Sequence, residues 1–187
     1  MRTALSVAAL ALCLSLPASA QDITPAVDVS GGYSFLRHQE RDEVGGEATG
    51  QNFHGWVASV AGNLTRWLGL VGEVGGNYKT LGFDGTDVSF SVHSFMGGMR
   101  FSARPPGHIT PFGQFLVGAV RGSVSALGVS GSTTEFGAQG GGGVDFWIRP
   151  KFGIRVGADY RRIFPKEEKG LDEFRFYAGV VVGAGQR

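Results

Sequence analysis

The chain has 187 residues, enough for one domain, and sets 17 Lys and Arg against 16 Asp and Glu. So even a charge removes the electrostatic case for nucleic-acid binding. The single cysteine, Cys13, excludes a disulfide-stapled scaffold.

Residues 1–20 have the form of an export signal: Arg2 gives the positive start, Ala8 to Leu16 the apolar stretch, and Ala18-Ser19-Ala20 the small-residue cleavage site. Cys13 lies inside this segment, and the preceding Leu12 argues against a lipoprotein site. Removing the first 20 of the 187 residues leaves 167 and, with Arg2 gone, equal numbers of basic and acidic groups. No later stretch approaches the ~20 apolar residues of a helical span, so any membrane crossing must be made by strands.

All 32 glycines follow residue 20, without a collagen-like period. They fall within apolar alternations such as Val71-Gly72-Glu73-Val74-Gly75-Gly76. Glycine there lets strongly curved strands bend and lets aromatic rings lie across neighbouring backbone.

Period-two alternation predicts eight strands. Strand 1, about 26 to 37, sets Val27, Val29, Tyr33 and Phe35 outward and Asp28, Ser30 and Ser34 inward. Strand 2, about 54 to 64, faces out with Trp56, Ala58, Val60 and Leu64. In strand 3, about 68 to 78, Leu70, Val74 and Tyr78 face out while Glu73 and Asn77 face in. Strand 4, about 90 to 102, places Phe95, Met99 and Phe101 outward and Ser94, Met96 and Arg100 inward, with Phe90 breaking parity. In strand 5, about 110 to 122, Gln114 and Arg121 have opposite parity and cannot both point inward without a bulge. Outward Phe115, Val117 and Ala119 are expected, with Arg121 at the rim.

Strand 6, about 134 to 148, alternates Phe136, Ala138, Val144, Phe146 and Ile148 with Glu135, Gln139 and Asp145. Strand 7, about 152 to 162, sets Phe152, Ile154, Val156, Ala158 and Tyr160 against Arg155, Asp159 and Arg161. Strand 8, about 173 to 185, sets Phe174, Phe176, Ala178, Val180 and Val182 against Glu173, Arg175 and Tyr177. A hairpin about Pro150 pairs Asp145 with Arg155 inside and Gly140 with Tyr160 outside, where the ring is expected to cover the glycine.

The connections 39–53, 79–89, 123–133 and 163–172 read as long polar loops; Thr65 to Trp67, Ala103 to Ile109 and Arg149 to Lys151 read as shorter turns. Long extracellular loops and short periplasmic turns mark outer-membrane barrels, so both termini are expected in the periplasm. Trp56, Tyr78, Phe136, Tyr160 and Phe174 fall at loop ends, and Trp67, Phe101, Phe146 and Phe152 near turns. Two aromatic girdles at the membrane interfaces account for that sorting. The expected fold is an all-β, eight-stranded antiparallel up-and-down transmembrane barrel over residues 21–187, outer-membrane lipid its surroundings and the monomer its state.

Gly31-Gly32-Tyr33-Ser34-Phe35, Trp67-Leu68-Gly69-Leu70, the run His93 to Gly98 with Arg100-Phe101, and Thr110-Pro111-Phe112-Gly113 together resemble the small outer-membrane β-barrel domain proteins, the class of the OmpA and OmpX barrels. The resemblance spans about 26 to 185 and implies architecture better than activity. It implies contact with the barrel-assembly machinery during insertion. Many such barrels end on an aromatic residue read by that machinery, whereas this sequence ends Gly183-Ala184-Gly185-Gln186-Arg187. No appended peptidoglycan-binding domain is expected beyond strand 8.

Some barrels of this size modify lipid A, which makes the histidines worth weighing. His93 and Ser94 are adjacent on a strand and so point to opposite faces, an awkward arrangement for a nucleophile and its base. His38, His54 and His108 read as rim or turn residues, and Asp42-Glu43 as solvated loop charge rather than a metal site. Gly140 to Gly143 lack the Lys-Ser/Thr of a phosphate loop. No catalytic, metal or cofactor site is therefore expected. The inward set Glu73, Arg100, Asp145, Arg155, Asp159, Arg161, Glu173 and Arg175 is read as a structural charge network filling a lumen about as wide as its side chains. The expected function is that of a non-enzymatic barrel with a structural or surface-interaction role. A narrow passive pore comes second and a lipid A-modifying enzyme third.

Overall fold

The computed structural model describes residues 24–39, 50–83, 86–126, 129–165 and 170–185. The expected signal segment, 1–20, lies outside them. Eight strands follow one another: β1 (Val27–Gln39), β2 (Gly50–Asn63), β3 (Leu68–Phe83), β4 (Thr86–Ser102), β5 (Ile109–Ala126), β6 (Val129–Arg149), β7 (Phe152–Phe164) and β8 (Leu171–Ala184). Each pairs antiparallel with the next, and β8 pairs with β1 to close the barrel. Closure satisfies every backbone ladder and leaves no edge, the condition for strands to cross a membrane.

The expected order and faces match the structure. Outward Phe95 and Phe115 each leave 58 % of their surface exposed, whereas their inward neighbours Met96 and Leu116 leave 5 % and none. A water-soluble sheet would bury the first pair, so the outer face is built for lipid. β5 pairs without a register shift, which puts Gln114 inside and Arg121 outside, its Nη2 donating to Ser132 Oγ at 3.0 Å. The β6–β7 hairpin pairs Asp145 with Arg155 and Gly140 with Tyr160, and a shift between Trp147 and Arg149 marks an irregularity at its base.

Two expectations fail. The connections read over 79–89 and 123–133 are mostly strand: Phe83 pairs with Thr86 and Ala126 with Val129. Their serine and threonine content suggested loop, but a ladder above the membrane keeps its hydrogen bonds whatever solvent touches its side chains. Nor does the Tyr160 ring cover Gly140, where an added Cβ would meet nothing within 4 Å. Tyr160 instead packs on Phe174, 5.1 Å between centroids, and donates to Asp172 Oδ1 at 2.6 Å. An outer-face glycine that is covered is Gly76: a Cβ there would lie 2.8 Å from Tyr78 Oη and 2.9 Å from Trp56 Nε1.

The shorter turns lie at the end where β1 begins and β8 stops, here called the lower end. Thr65 Oγ1 caps the β2–β3 turn by accepting from the Leu68 N–H at 2.9 Å, Gly107 takes φ +127° between β4 and β5, and Pro150-Lys151 joins β6 to β7. Trp67 stacks on Phe101 at this end, 6.1 Å between ring centroids. The upper aromatic set carries the Tyr160–Phe174 pair, and Phe136 contacts Phe164 at 6.0 Å. Residues 40–49, most of the first long connection, lie outside the described set.

Candidate functional site in the barrel lumen

All eight residues expected in the lumen network are on the inner face and buried, none more than 4 % exposed. They divide into two layers. The lower layer centres on Arg155, whose Nε and Nη2 donate to the two oxygens of Asp145 at 2.6 and 2.8 Å while Nη2 also reaches Asp28 Oδ1 at 3.1 Å. Arg100 completes it, with Nη1 donating to Asp28 at 3.0 Å and Nη2 to Gln114 Oε1 at 3.0 Å. Both guanidinium groups lie over the ring of Phe112, 4.8 Å from its centroid. Two arginines thus meet two aspartates, and the layer carries no net charge.

The upper layer joins Arg175 to Glu73 at 2.6 Å and to Asp159, with Gln139 Nε2 donating to Glu73 at 3.0 Å. Arg161 donates through Nε to Gln139 Oε1 at 3.0 Å and through Nη1 to Glu173 Oε2 at 3.3 Å. His38 Nδ1 stands 3.5 Å from the other Glu173 oxygen. Gln114 Nε2, 3.4 Å from Glu73 Oε2, links the two layers. Such multiply bonded ion pairs are the form in which charge tolerates burial. Asp159 Oδ1 lacks a partner among the described residues and sits where a Cβ on Gly141 would fall.

The sequence reading missed Asp28, Gln114 and Gln139 as members of this network. Asp28 and Gln139 had the inward parity that could have placed them there, and Gln114 was obscured by Arg121. It also missed how much of the lumen is apolar. Leu36, Leu116 and Val181 are fully enclosed, and Ala61, Val71, Met96, Leu116, Val120 and Ile163 form a continuous inner cluster. Each neighbours an outward apolar residue on its strand, so the alternation that signals a face is lost there.

Tightness is the main property of the two charged layers. The void bordered by Ser30, Ser59, Glu73, Arg100 and Arg155 measures about 10 Å³, near the minimum for a single water. Tyr177 borders the same void, its hydroxyl 2.4 Å from where a Cβ on Gly157 would stand. His93 and Ser94 part company as their adjacency requires: His93 Nε2 lies 3.2 Å from Tyr78 Oη on the outer face, and Ser94 Oγ accepts from Arg161 inside at 3.3 Å. They cannot act on one substrate together.

A closed antiparallel barrel with an apolar outer belt, aromatic girdles and a charge-filled interior is the architecture of an outer-membrane barrel. The family model described as outer membrane protein beta-barrel domain matches residues 6–183, and the chain belongs to that family. No curated protein matches the sequence. Among solved structures, Neisserial surface protein A is similar at TM-score 0.68 and 15 % identity, over 84 % of this chain and 97 % of that one. The attachment invasion locus protein Ail of Yersinia pestis follows at TM-score 0.56 and 19 % identity, over 84 % of this chain and 99 % of that one. OprG of Pseudomonas aeruginosa is similar at TM-score 0.53 and 11 % identity, over 86 % and 96 %. At these identities the likeness is one of fold.

Proposed function

We propose that this protein is a non-enzymatic outer-membrane barrel that acts through surface interactions of its upper end, with both termini in the periplasm. The observation that carries the reading is the sealed lumen: two layers of paired charge fill the cross-section, while β3–β4 and β5–β6 run on past the aromatic girdle as ladders. A plugged barrel presents its upper hairpins as its accessible chemistry. The names attachment invasion locus protein and Neisserial surface protein A fit such a role.

The orientation is tested by epitope tags placed at residue 45 and after Arg187, probed with antibody on intact and on permeabilised cells. Antibody should reach the first on intact cells and the second only after permeabilisation; the reverse pattern overturns the topology. Planar-bilayer recordings and lipid A mass spectra of expressing cells address the competing roles. Stable unitary conductance would establish the pore, and a lipid A mass change lost on Ser94→Ala would establish the enzyme.

A further inference from the structure

Above the charged layers the barrel changes character. On β4, β5 and β6 the outward positions beyond the girdle are polar: Ser89, Ser91, Arg121, Ser123, Ser132 and Thr134. The inward positions of β4 and β5 are apolar there, Phe90 and Val92 facing Val120, Gly122 and Val124, while β6 offers Gly131, Thr133 and Glu135. This reverses the pattern of the membrane belt, and it explains why Phe90 breaks the parity of strand 4: it faces a cavity, not lipid. That cavity measures about 620 Å³ and is walled further by Phe53, Ile163 and Leu171. Its floor is Glu173, 2 % exposed and tied to Arg161. Nearer its mouth stand Gln51, Thr133 and Glu135, while His38 lies at the floor, 3.5 Å from Glu173.

We infer that this upper vestibule is a binding site for a single-chain amphiphile, the hydrocarbon tail lying against the apolar wall and the polar head meeting the mouth. The volume falls in the range of small-molecule sites, and the mix of apolar wall and few polar groups is the usual one. The sealed floor makes it a blind cup that holds a ligand and does not pass it on. Eight strands leave an interior too narrow for two chains side by side. A peptide segment fits poorly because its backbone N–H and C=O groups would face Phe53, Val92, Ile163 and Leu171 unpaired, whereas a tail has none to satisfy. The mouth suits a neutral or zwitterionic head: Glu135 accepts from Thr133 at 3.0 Å and Gln51 accepts from Lys79 at 3.4 Å. Binding here does not depend on the surface role proposed above.

The test uses the full mature chain in phospholipid nanodiscs and a lysophosphatidylcholine bearing a diazirine in its acyl chain, photolysed and mapped by mass spectrometry. Adducts are expected on inward Phe90, Val92 and Leu171 in addition to lipid-facing Phe95 and Phe115, and only the inward set should saturate and be displaced by unlabelled lysophosphatidylcholine. Gly122→Phe directs a ring into open space, since a Cβ there meets nothing within 4 Å. Displacing about two methylenes of tail lowers inward labelling by about tenfold and leaves the lipid-facing adducts unchanged. Val92→Trp provides a second filling variant if the first does not insert, insertion being judged by heat-modifiable gel mobility. Labelling confined to the lipid face, inward labelling that does not saturate, or inward labelling indifferent to an inserted filling variant overturns the assignment.

Discussion

Arg155 should matter more to stability than the aspartate it pairs with. Removing Arg155 strands Asp145, which is 4 % exposed and bonds no other cation among the described residues. Breaking a buried pair in this way costs about 3 to 5 kcal/mol. Removing Asp145 instead leaves Arg155 its bond to Asp28 at 3.1 Å and to Ser30 Oγ at 3.0 Å. The loss is then nearer to that of hydrogen bonds to a charged group, about 1.5 to 3 kcal/mol. The double variant removes the stranded carboxylate, so it should cost no more than Arg155→Ala alone, and Asp28 keeps Arg100 at 3.0 Å throughout. Reversible urea unfolding of wild type, Arg155→Ala, Asp145→Ala and the double variant in phospholipid vesicles measures all three differences. If Asp145→Ala is as costly as Arg155→Ala, or if the single losses add within about 0.5 kcal/mol, the proposed sharing of Arg155 between two aspartates is wrong.

The same assay should show Val156→Lys destabilised by about 2 to 4 kcal/mol, since its side chain faces the bilayer on β7; wild-type stability for this variant would mean that the face is misassigned. Gly157→Ala drives a methyl to 2.4 Å from Tyr177 Oη and should cost about 1 to 3 kcal/mol by overpacking. A stability equal to wild type would show that Tyr177 is not held there. Intact-mass and N-terminal analysis of exported protein should find Gln21 or its pyroglutamate form first, because Ala18 and Ala20 satisfy the cleavage pattern; retention of Met1 would refute the export signal.

What the sequence made legible was the part of the barrel where lipid and lumen differ in polarity. β7 reads Phe152, Ile154, Val156 against Arg155, Asp159, Arg161, and the structure follows it residue by residue. Two regions were not legible, for different physical reasons. Above the girdle the solvent on the outside is water, so Ser123 and Ser132 give the outer face of a strand the composition of a loop. Within the lumen, Leu36, Val57 and Val181 close the space between charges as well as a polar group would, and beside outward valines and aromatics they erase the alternation. Membership of Asp28 in the lower layer was obscured by a third cause. Its partners Arg100 and Arg155 stand on β4 and β7, far along the chain, and only closure of β8 on β1 brings β7 near β1.

The layering of the interior ties stability to access. Paired charge in the membrane-spanning part resists replacement singly, because each guanidinium serves more than one acceptor and a lost partner leaves a buried ion. The apolar cup above has no such constraint: a change at Val92 or Gly122 alters shape and contact area without stranding a charge. Sequence change in the cup can therefore retune what the upper end holds while the plug keeps the barrel shut. Glu173 marks the boundary between the two, since one of its oxygens receives Arg161 from the plug and the other faces His38 at the base of the cup. Glu173→Gln keeps the shape of that boundary and removes its charge, so it should loosen the upper layer around Arg161 while leaving the Asp28, Arg100, Asp145 and Arg155 layer intact. Hydrogen exchange in nanodiscs separates the outcomes: faster exchange limited to the upper part of β7 and β8 supports two independent layers, and equal acceleration at Asp145 and Arg155 shows that the plug is one cooperative unit.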